Sequence, residues 1–411
     1  MNHKIYWITF VAVMGGFIFG LNMAGISGAV NSIRDVFDLS DGGLGLVVSA
    51  LTIGCLVGSL FTGGFADRYG RRRIFLAVAV LFVVSSLGCA LAPDSNTLVF
   101  FRLLAGIAVG ADSVIGPMYI SEIAPADKRG RLVSFQQFAV VIGILIAYAI
   151  DYLLLDLAEA WRWMLGVPVV FGVIFFVLAL ISLPESPRWI SAKGTVSREK
   201  RAFSDIFKGK TGRIVLLGTL LAAFQQITGI NAVVNYAPII FEQTGVGGGM
   251  ALLQSCLVGF VNFLATIIAL WLVDTKGRKT LLLWGAAGMI LSLGYLTCSF
   301  SFGWPGGGVL AALLVYIAFF AASFAPVMWV VTSEIFPDRV RAQALSFSTC
   351  VSWICTFLTV QFSPWILNAM GGAVLFGIFG FFSLAAFVFV WKYIPETKGK
   401  SLEQIERELG L

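Results

Sequence analysis

The sequence predicts an all-α membrane protein, with twelve transmembrane helices in two pseudo-symmetric six-helix bundles. Three observations predict it: an extreme apolar bias, twelve apolar stretches of spanning length, and a set of charged strings that recurs once. Of 411 residues, 58% are hydrophobic and 12% charged, and the mean hydropathy is +0.92. Soluble domains carry about 25% charged residues, so this chain is built for a solvent other than water.

A hydrocarbon core about 30 Å thick takes about 20 mainly apolar residues per helix. Twelve stretches meet that requirement, at residues 5–30, 43–64, 74–92, 97–123, 132–155, 162–183, 213–241, 250–273, 280–301, 309–335, 340–367 and 372–394. The first has no early small-residue cleavage pattern and is too long for a signal peptide, so it reads as a true span. Lys and Arg concentrate in cytoplasmic loops. All but Arg34, Arg102 and Arg162 of the 28 basic residues fall on one side of this segmentation. Both termini are therefore expected in the cytoplasm and the chain in a plasma or bacterial inner membrane. The net charge of +6 follows from topology and calls for no nucleic-acid partner.

Several chemistries lack their residues. The six cysteines (Cys55, Cys89, Cys256, Cys298, Cys350 and Cys355) lie inside apolar spans without paired metal spacing, and read as small buried hydrophobes. The single histidine, His3, is near the N-terminus. With no nucleophile motif and no phosphate-binding loop, the chain is expected to be no enzyme and to need no cofactor or metal.

Internal repetition sets the organisation. Asp67-Arg68-Tyr69-Gly70-Arg71-Arg72 returns as Asp274-Thr275-Lys276-Gly277-Arg278-Lys279, Ser121-Glu122-Ile123-Ala124-Pro125 as Ser333-Glu334-Ile335-Phe336-Pro337, and Pro184-Glu185 as Pro395-Glu396. Each return comes about 210 residues on, in the same order, which is the signature of duplication. The expected parts are a bundle at 1–188, a linker at 189–212, a second bundle at 213–394 and a tail at 395–411. Duplicated bundles serve transporters: substrate sits where the two meet, and rocking one against the other exposes it alternately to each side.

Two sets of residues suit that mechanism. The first is ionic and lies beside span ends: Asp67, Arg71, Arg72, Glu122, Arg129 and Glu185 in one half, Asp274, Arg278, Glu334, Arg341 and Glu396 in the other. Exposed ion pairs are worth about 0–1 kcal/mol each, so several together are expected to act as a gating lock. Charges that merely anchor helices at the headgroups would explain one such cluster, though not its recurrence. The second set is neutral. Span 7 carries Gln225, Gln226, Asn231 and Asn235, with Thr228-Gly229 as the expected bend. Span 5 adds Gln136 and Gln137, span 8 Asn262, span 10 Trp329, and span 11 Ser352 and Trp353. Amides donate and accept, and indole faces stack on C–H surfaces. Together they suit an uncharged, polyhydroxylated ligand, while any one amide serves equally as interhelical glue.

The strings D67-R-Y-G-R-R, P184-E-S-P-R, Q225-Q-I-T-G-I-N, D274-T-K-G-R-K and P395-E-T-K-G, in this order, resemble the sugar porter family of the major facilitator superfamily along nearly the whole chain. The resemblance implies the major facilitator fold, a hexose or pentose as ligand, and sugar contacts from Gln137, Gln225, Gln226, Asn231, Asn262 and Trp329, with Trp353 and Asn235 nearby. The chain is expected to be embedded in lipid and to act as a monomer. Asn235 stands where the family commonly has Tyr, Ala325 where it usually has Gly, and the segment after Arg188 is shorter than usual.

Energy coupling turns on span 1. In proton-coupled relatives the position matching Asn22 resembles an aspartate paired with an arginine matching Arg102. An amide does not titrate in any useful range, so the expectation is a facilitative uniporter. Asp112, inside span 4, is a functional candidate by default. It leaves open a relocated proton site, hence symport, or a structural hydrogen bond. A carrier of another neutral polyol is the remaining alternative.

Overall fold

The computed structural model describes all residues except 1, 126–128, 193–206, 208, 305, 338–339, 399, 401–403 and 405–411. Seventeen α-helices are described: α1 (Asn2–Ala24), α2 (Val30–Phe37), α3 (Asp41–Tyr69), α4 (Arg71–Ala90), α5 (Ser95–Ile123), α6 (Arg129–Leu154), α7 (Ala160–Gly166), α8 (Pro168–Ser182), α9 (Pro187–Ala192), α10 (Gly209–Ile227), α11 (Ile230–Glu242), α12 (Gly248–Lys276), α13 (Arg278–Phe302), α14 (Gly306–Ala322), α15 (Phe324–Ile335), α16 (Arg341–Ala369) and α17 (Gly372–Tyr393). They supply twelve helices long and apolar enough to cross a membrane, three of them interrupted: α7 with α8, α10 with α11, and α14 with α15.

The chain divides into two compact units. One holds residues 1–198 with 234–238, the other 199–233 with 239–411. Most of the expected linker lies outside the described residues.

Within the first unit, small residues let backbones approach, as membrane helices require when lipid tails are as apolar as the side chains. Gly54 and Gly58 of α3 face Gly106 and Gly110 of α5, and a Cβ on Gly54 would come within 2.1 Å of the Leu103 carbonyl oxygen. Gly20 of α1 and Gly143 of α6 repeat the arrangement. Helix starts follow side-chain capping: the Ser40 hydroxyl accepts from the Gly43 amide, and Asp94 accepts from both the amide and the hydroxyl of Thr97.

The first apolar stretch was expected to run to residue 30, but α1 stops at Ala24 and a turn over 25–29 leads into α2. The freed Gly28 amide donates to Asp151 Oδ2 of α6 at 3.0 Å, and a Cβ on Gly28 would lie 2.6 Å from the Asp151 Cβ. The break therefore needs both a glycine and an acid brought by another helix.

Candidate functional site

The second unit builds a polar centre on two broken helices. Between α10 and α11, Gly229 adopts φ 97°, at the Thr228-Gly229 bend that the sequence leads one to expect. The second break, between α14 and α15, falls at Ser323. Each break is tied by a side chain to the other broken helix. Gln225 Nε2 donates to the Phe324 and Ala325 carbonyls at 3.0 and 3.3 Å, while the Tyr316 hydroxyl donates to the Thr228 carbonyl at 2.9 Å.

From Gln225 an amide chain continues. Its Oε1 accepts from Gln226 Nε2, Gln226 Oε1 accepts from Asn231 Nδ2, and the same nitrogen reaches Thr356 Oγ1 at 3.4 Å. Gln225 and Asn231 are buried and Gln226 is half-buried. Three of the expected sugar contacts thus form one hydrogen-bonded string. On α15, the helix whose first carbonyls hold Gln225, Trp329 stays 40% exposed. Trp353 on α16 and Asn262 on α12 are half-buried. Residues 234–238 of α11 belong to the first unit: there Asn235 is buried, and Tyr236 departs from helical geometry ahead of Pro238. Because Pro238 lacks an N–H, the Val234 carbonyl is free of its helical donor, and the Tyr148 hydroxyl donates to it at 2.7 Å.

In the first unit Gln137 is half-buried and its neighbour Gln136 is buried. Asn22 and Arg102 come together differently from an acid–base pair. Asn22 Nδ2 donates to the Ile18 carbonyl of its own helix, and it is the Asn22 backbone carbonyl that receives Arg102 Nη1 at 2.9 Å. Arg102, 1% exposed, spends its other donors on the Val47 and Val48 carbonyls. Its contacts are backbone oxygens on α1 and α3. Asp112 is fully buried and binds Gln136 Nε2 at 2.7 Å.

The charged strings explain their own recurrence. Gly70 links α3 to α4 with φ 96° and Gly277 links α12 to α13 with φ 92°. Glu185 Oε1 accepts from the Arg71 and Arg72 amides at the start of α4, and Glu396 accepts from the Arg278 and Lys279 amides at the start of α13. A helix N-terminus with unpaired N–H groups favours a carboxylate. A Cβ on either glycine would strike that carboxylate, at 2.4 Å for Gly70 and 2.7 Å for Gly277.

Two expectations for these clusters change. Arg71 and Glu122 form a buried, two-pronged pair at 2.9 and 3.1 Å rather than an exposed one, with Asp67 at 3.0 Å on its solvent side. Arg72 turns its guanidinium to the Leu180 carbonyl instead of an acid. In the second unit Arg278 pairs with Glu334 at 3.1 Å, Thr397 donates to the other Glu334 oxygen, and Arg341 donates to the Phe336 carbonyl. The side chains of Arg129 and Asp274 lie outside the described residues.

Sequence reasoning passed over Asp151, Tyr148, Tyr316 and Thr356. Asp151 was detectable as an acid inside an apolar stretch. Pro238 marks an orphaned carbonyl but not the tyrosine that serves it.

Twelve spanning helices and a polar centre built on broken ones define a secondary transporter of the major facilitator type. A family model described as "Sugar (and other) transporter" matches residues 8–214 and 199–409. The D-xylose-proton symporter of Escherichia coli K12 is 34% identical over 467 residues, covering 98% of this chain and 95% of that one. The glucose transporter of Staphylococcus epidermidis is 37% identical over 439 residues, covering 100% and 98%. A solved structure described as a partially occluded inward-open conformation of the E. coli xylose transporter matches with TM-score 0.86 and 33% identity, covering 97% and 100%. The chain belongs to the sugar porter family of the major facilitator superfamily, a family of transporters rather than enzymes.

Proposed function

We propose that the chain carries a monosaccharide, a hexose or pentose, across the cytoplasmic membrane by alternating access, as a facilitative uniporter acting as a monomer with both termini in the cytoplasm. The observation that carries the sugar reading is the amide string Gln225–Gln226–Asn231, fixed at a helix break and tied through Gln225 to α15, the helix that carries the 40% exposed Trp329. Its donors and acceptors are held in place before a ligand arrives, which lowers the ordering cost of binding. Gln137, Asn262, Trp353 and Asn235 complete the proposed contacts, and the relatives named for xylose and glucose favour a small sugar over another polyol. Neutral groups dominate, as an uncharged ligand requires.

The uniport reading rests on Asn22 and Arg102. An amide bonded to its own helix offers no proton to exchange, and Arg102 is occupied by three carbonyls. The charged clusters are proposed to bias the two access states. A second reading, proton symport through Asp112, is favoured by the complete burial of that acid and by relatives described as proton symporters.

Purified protein in liposomes tests both. Without a pH gradient, labelled xylose or glucose is expected to undergo saturable counterflow. Asn231→Ala should weaken it about 2- to 10-fold, the worth of one hydrogen bond of about 0.5–1.5 kcal/mol. Accumulation that requires an inward proton gradient and disappears in Asp112→Asn would overturn uniport, and absence of any sugar counterflow would overturn the carrier reading.

A further inference from the structure

Asp112 sits on α5 in a cradle made by three glycines. A Cβ on Gly15 of α1 would lie 1.8 Å from Asp112 Oδ1, one on Gly16 would lie 2.8 Å from Gln136 Nε2, and one on Gly116 would lie 3.0 Å from Gln136 Oε1. The carboxyl and the amide are therefore pressed into one seam among α1, α5 and α6, both buried. A single hydrogen bond joins them, from Gln136 Nε2 to Asp112 Oδ2 at 2.7 Å. Two polar atoms of the same pair, Asp112 Oδ1 and Gln136 Oε1, are buried without a hydrogen-bond partner among the described residues.

Those two atoms are both acceptors, so no rotation of either group lets one satisfy the other. One proton on Oδ1 does. An O–H there would be the donor the pair lacks, and donating to the amide oxygen it would close a cyclic carboxylic acid–amide dimer around the existing N–H bond. Without that proton a buried carboxylate has, among the described residues, one amide donor and no cation, which is costly. The charged residues described on the packed helices lie elsewhere: on α4, Arg71 pairs with Glu122, Arg72 donates to the Leu180 carbonyl and Arg73 is exposed, and on α3 Arg68 lies over the Tyr69 ring. On α5, Arg102 faces the carbonyls of Asn22, Val47 and Val48, and Glu122 pairs with Arg71. On α6, Asp151 holds the Gly28 amide; on α3, Asp41 pairs with Arg34 and Asp67 with Arg71. The charged residues of α1 are confined to its first turn, at His3 and Lys4.

We propose that Asp112 and Gln136 form a proton-binding site inside the first unit, whose resident proton locks α1, α5 and α6 together and so fixes Gln137, the next residue on α6, for sugar. Binding takes one proton from solvent onto Asp112 Oδ1, and release returns it to solvent. The part concerning Gln137 rests on the carrier reading. The proton stays in place through the transport cycle, so carriage depends on pH without being driven by a pH gradient.

Asp112→Asn reproduces the protonated geometry, since its Nδ2 donates to Gln136 Oε1 and its Oδ1 accepts from Gln136 Nε2. Two profiles against pH are measured, the unfolding temperature in detergent and sugar counterflow in liposomes. Both are expected to fall for the wild type as pH rises into the alkaline range, and both are expected to lose that fall in Asp112→Asn. Infrared spectra of the wild type should carry a protonated-carboxyl stretch at neutral pH that survives Asp151→Asn; this reading stands even where Asp112→Asn fails to fold. A wild-type profile shared by Asp112→Asn, or absence of that stretch, overturns the proposal. The unfolding profile involves no sugar, so its fall persisting without counterflow would strike the carrier reading and leave the proton site standing.

Discussion

The two charged clusters descend from one repeated pattern and have settled at different strengths. In the first unit, Arg71 and Glu122 meet through two parallel bonds with side chains only 9% and 7% exposed. In the second, Arg278 and Glu334 share one bond at 15% and 22% exposure, and the spare Glu334 oxygen is taken by the Thr397 hydroxyl of the segment after α17. The first cluster concentrates its interaction in a buried pair. The second spreads it over a partly wetted pair and a neutral donor. Burial makes a pair's loss expensive, because the surviving charge is stranded in low dielectric; water shields the survivor of an exposed pair.

The largest expected effect follows from that contrast. Arg71→Met strands Glu122 and should cost about 3–5 kcal/mol. Arg278→Met leaves Glu334 with Thr397 and with water, and should cost about 1 kcal/mol. Denaturation of both variants in mixed micelles measures the difference. Equal losses would break the comparison and mean that exposure does not govern these pairs.

Next in size are the glycines. Gly70→Ala and Gly277→Ala each force a Cβ into positive φ and against the carboxylate that caps the following helix. Each should cost about 1–3 kcal/mol. The closer Cβ approach at Gly70, 2.4 Å to Glu185 against 2.7 Å to Glu396, predicts the greater loss in the first unit. A ranking in the opposite sense in the same assay would show that the Glu185 side chain yields more readily.

Much of this was legible in the sequence, for physical reasons. Apolar runs about 20 residues long announce their helices through hydropathy alone, and recurrence of Gly70-Arg71 with Glu185 marks a unit that needs all three parts. The bend at Thr228-Gly229 was readable because the glycine invites positive φ. What escaped depends on direction or on tertiary neighbours. Asp151 stood out as an acid in an apolar stretch, but nothing local says that it holds the Gly28 amide, or that the Asn22 side chain turns to Ile18 while its carbonyl takes Arg102. The reciprocal service of the two helix breaks by Gln225 and Tyr316 joins residues about 90 or more positions apart, beyond the reach of any local pattern. The expectation that these ion pairs are exposed failed at Arg71 because sequence position beside a span end does not report packing.

The smallest effect sharpens the comparison through pH. Burial alone would raise the Glu396 carboxyl, but the Lys398, Arg278, Lys279 and Thr280 amides outweigh it and hold the group below the usual glutamate range. A carboxylate lowered in the folded state contributes stability that is fully present above its unfolded value and is lost as pH falls through its folded value. The second unit should therefore lose stability on acidification below the ordinary glutamate range. Glu396→Gln, which cannot carry the charge, should flatten that limb of the unfolding-temperature profile while leaving the alkaline side unchanged. An acid limb as steep in Glu396→Gln as in the wild type would mean that the helix-capping charge contributes nothing there, and that the second cluster is held by Arg278, Glu334 and Thr397 alone.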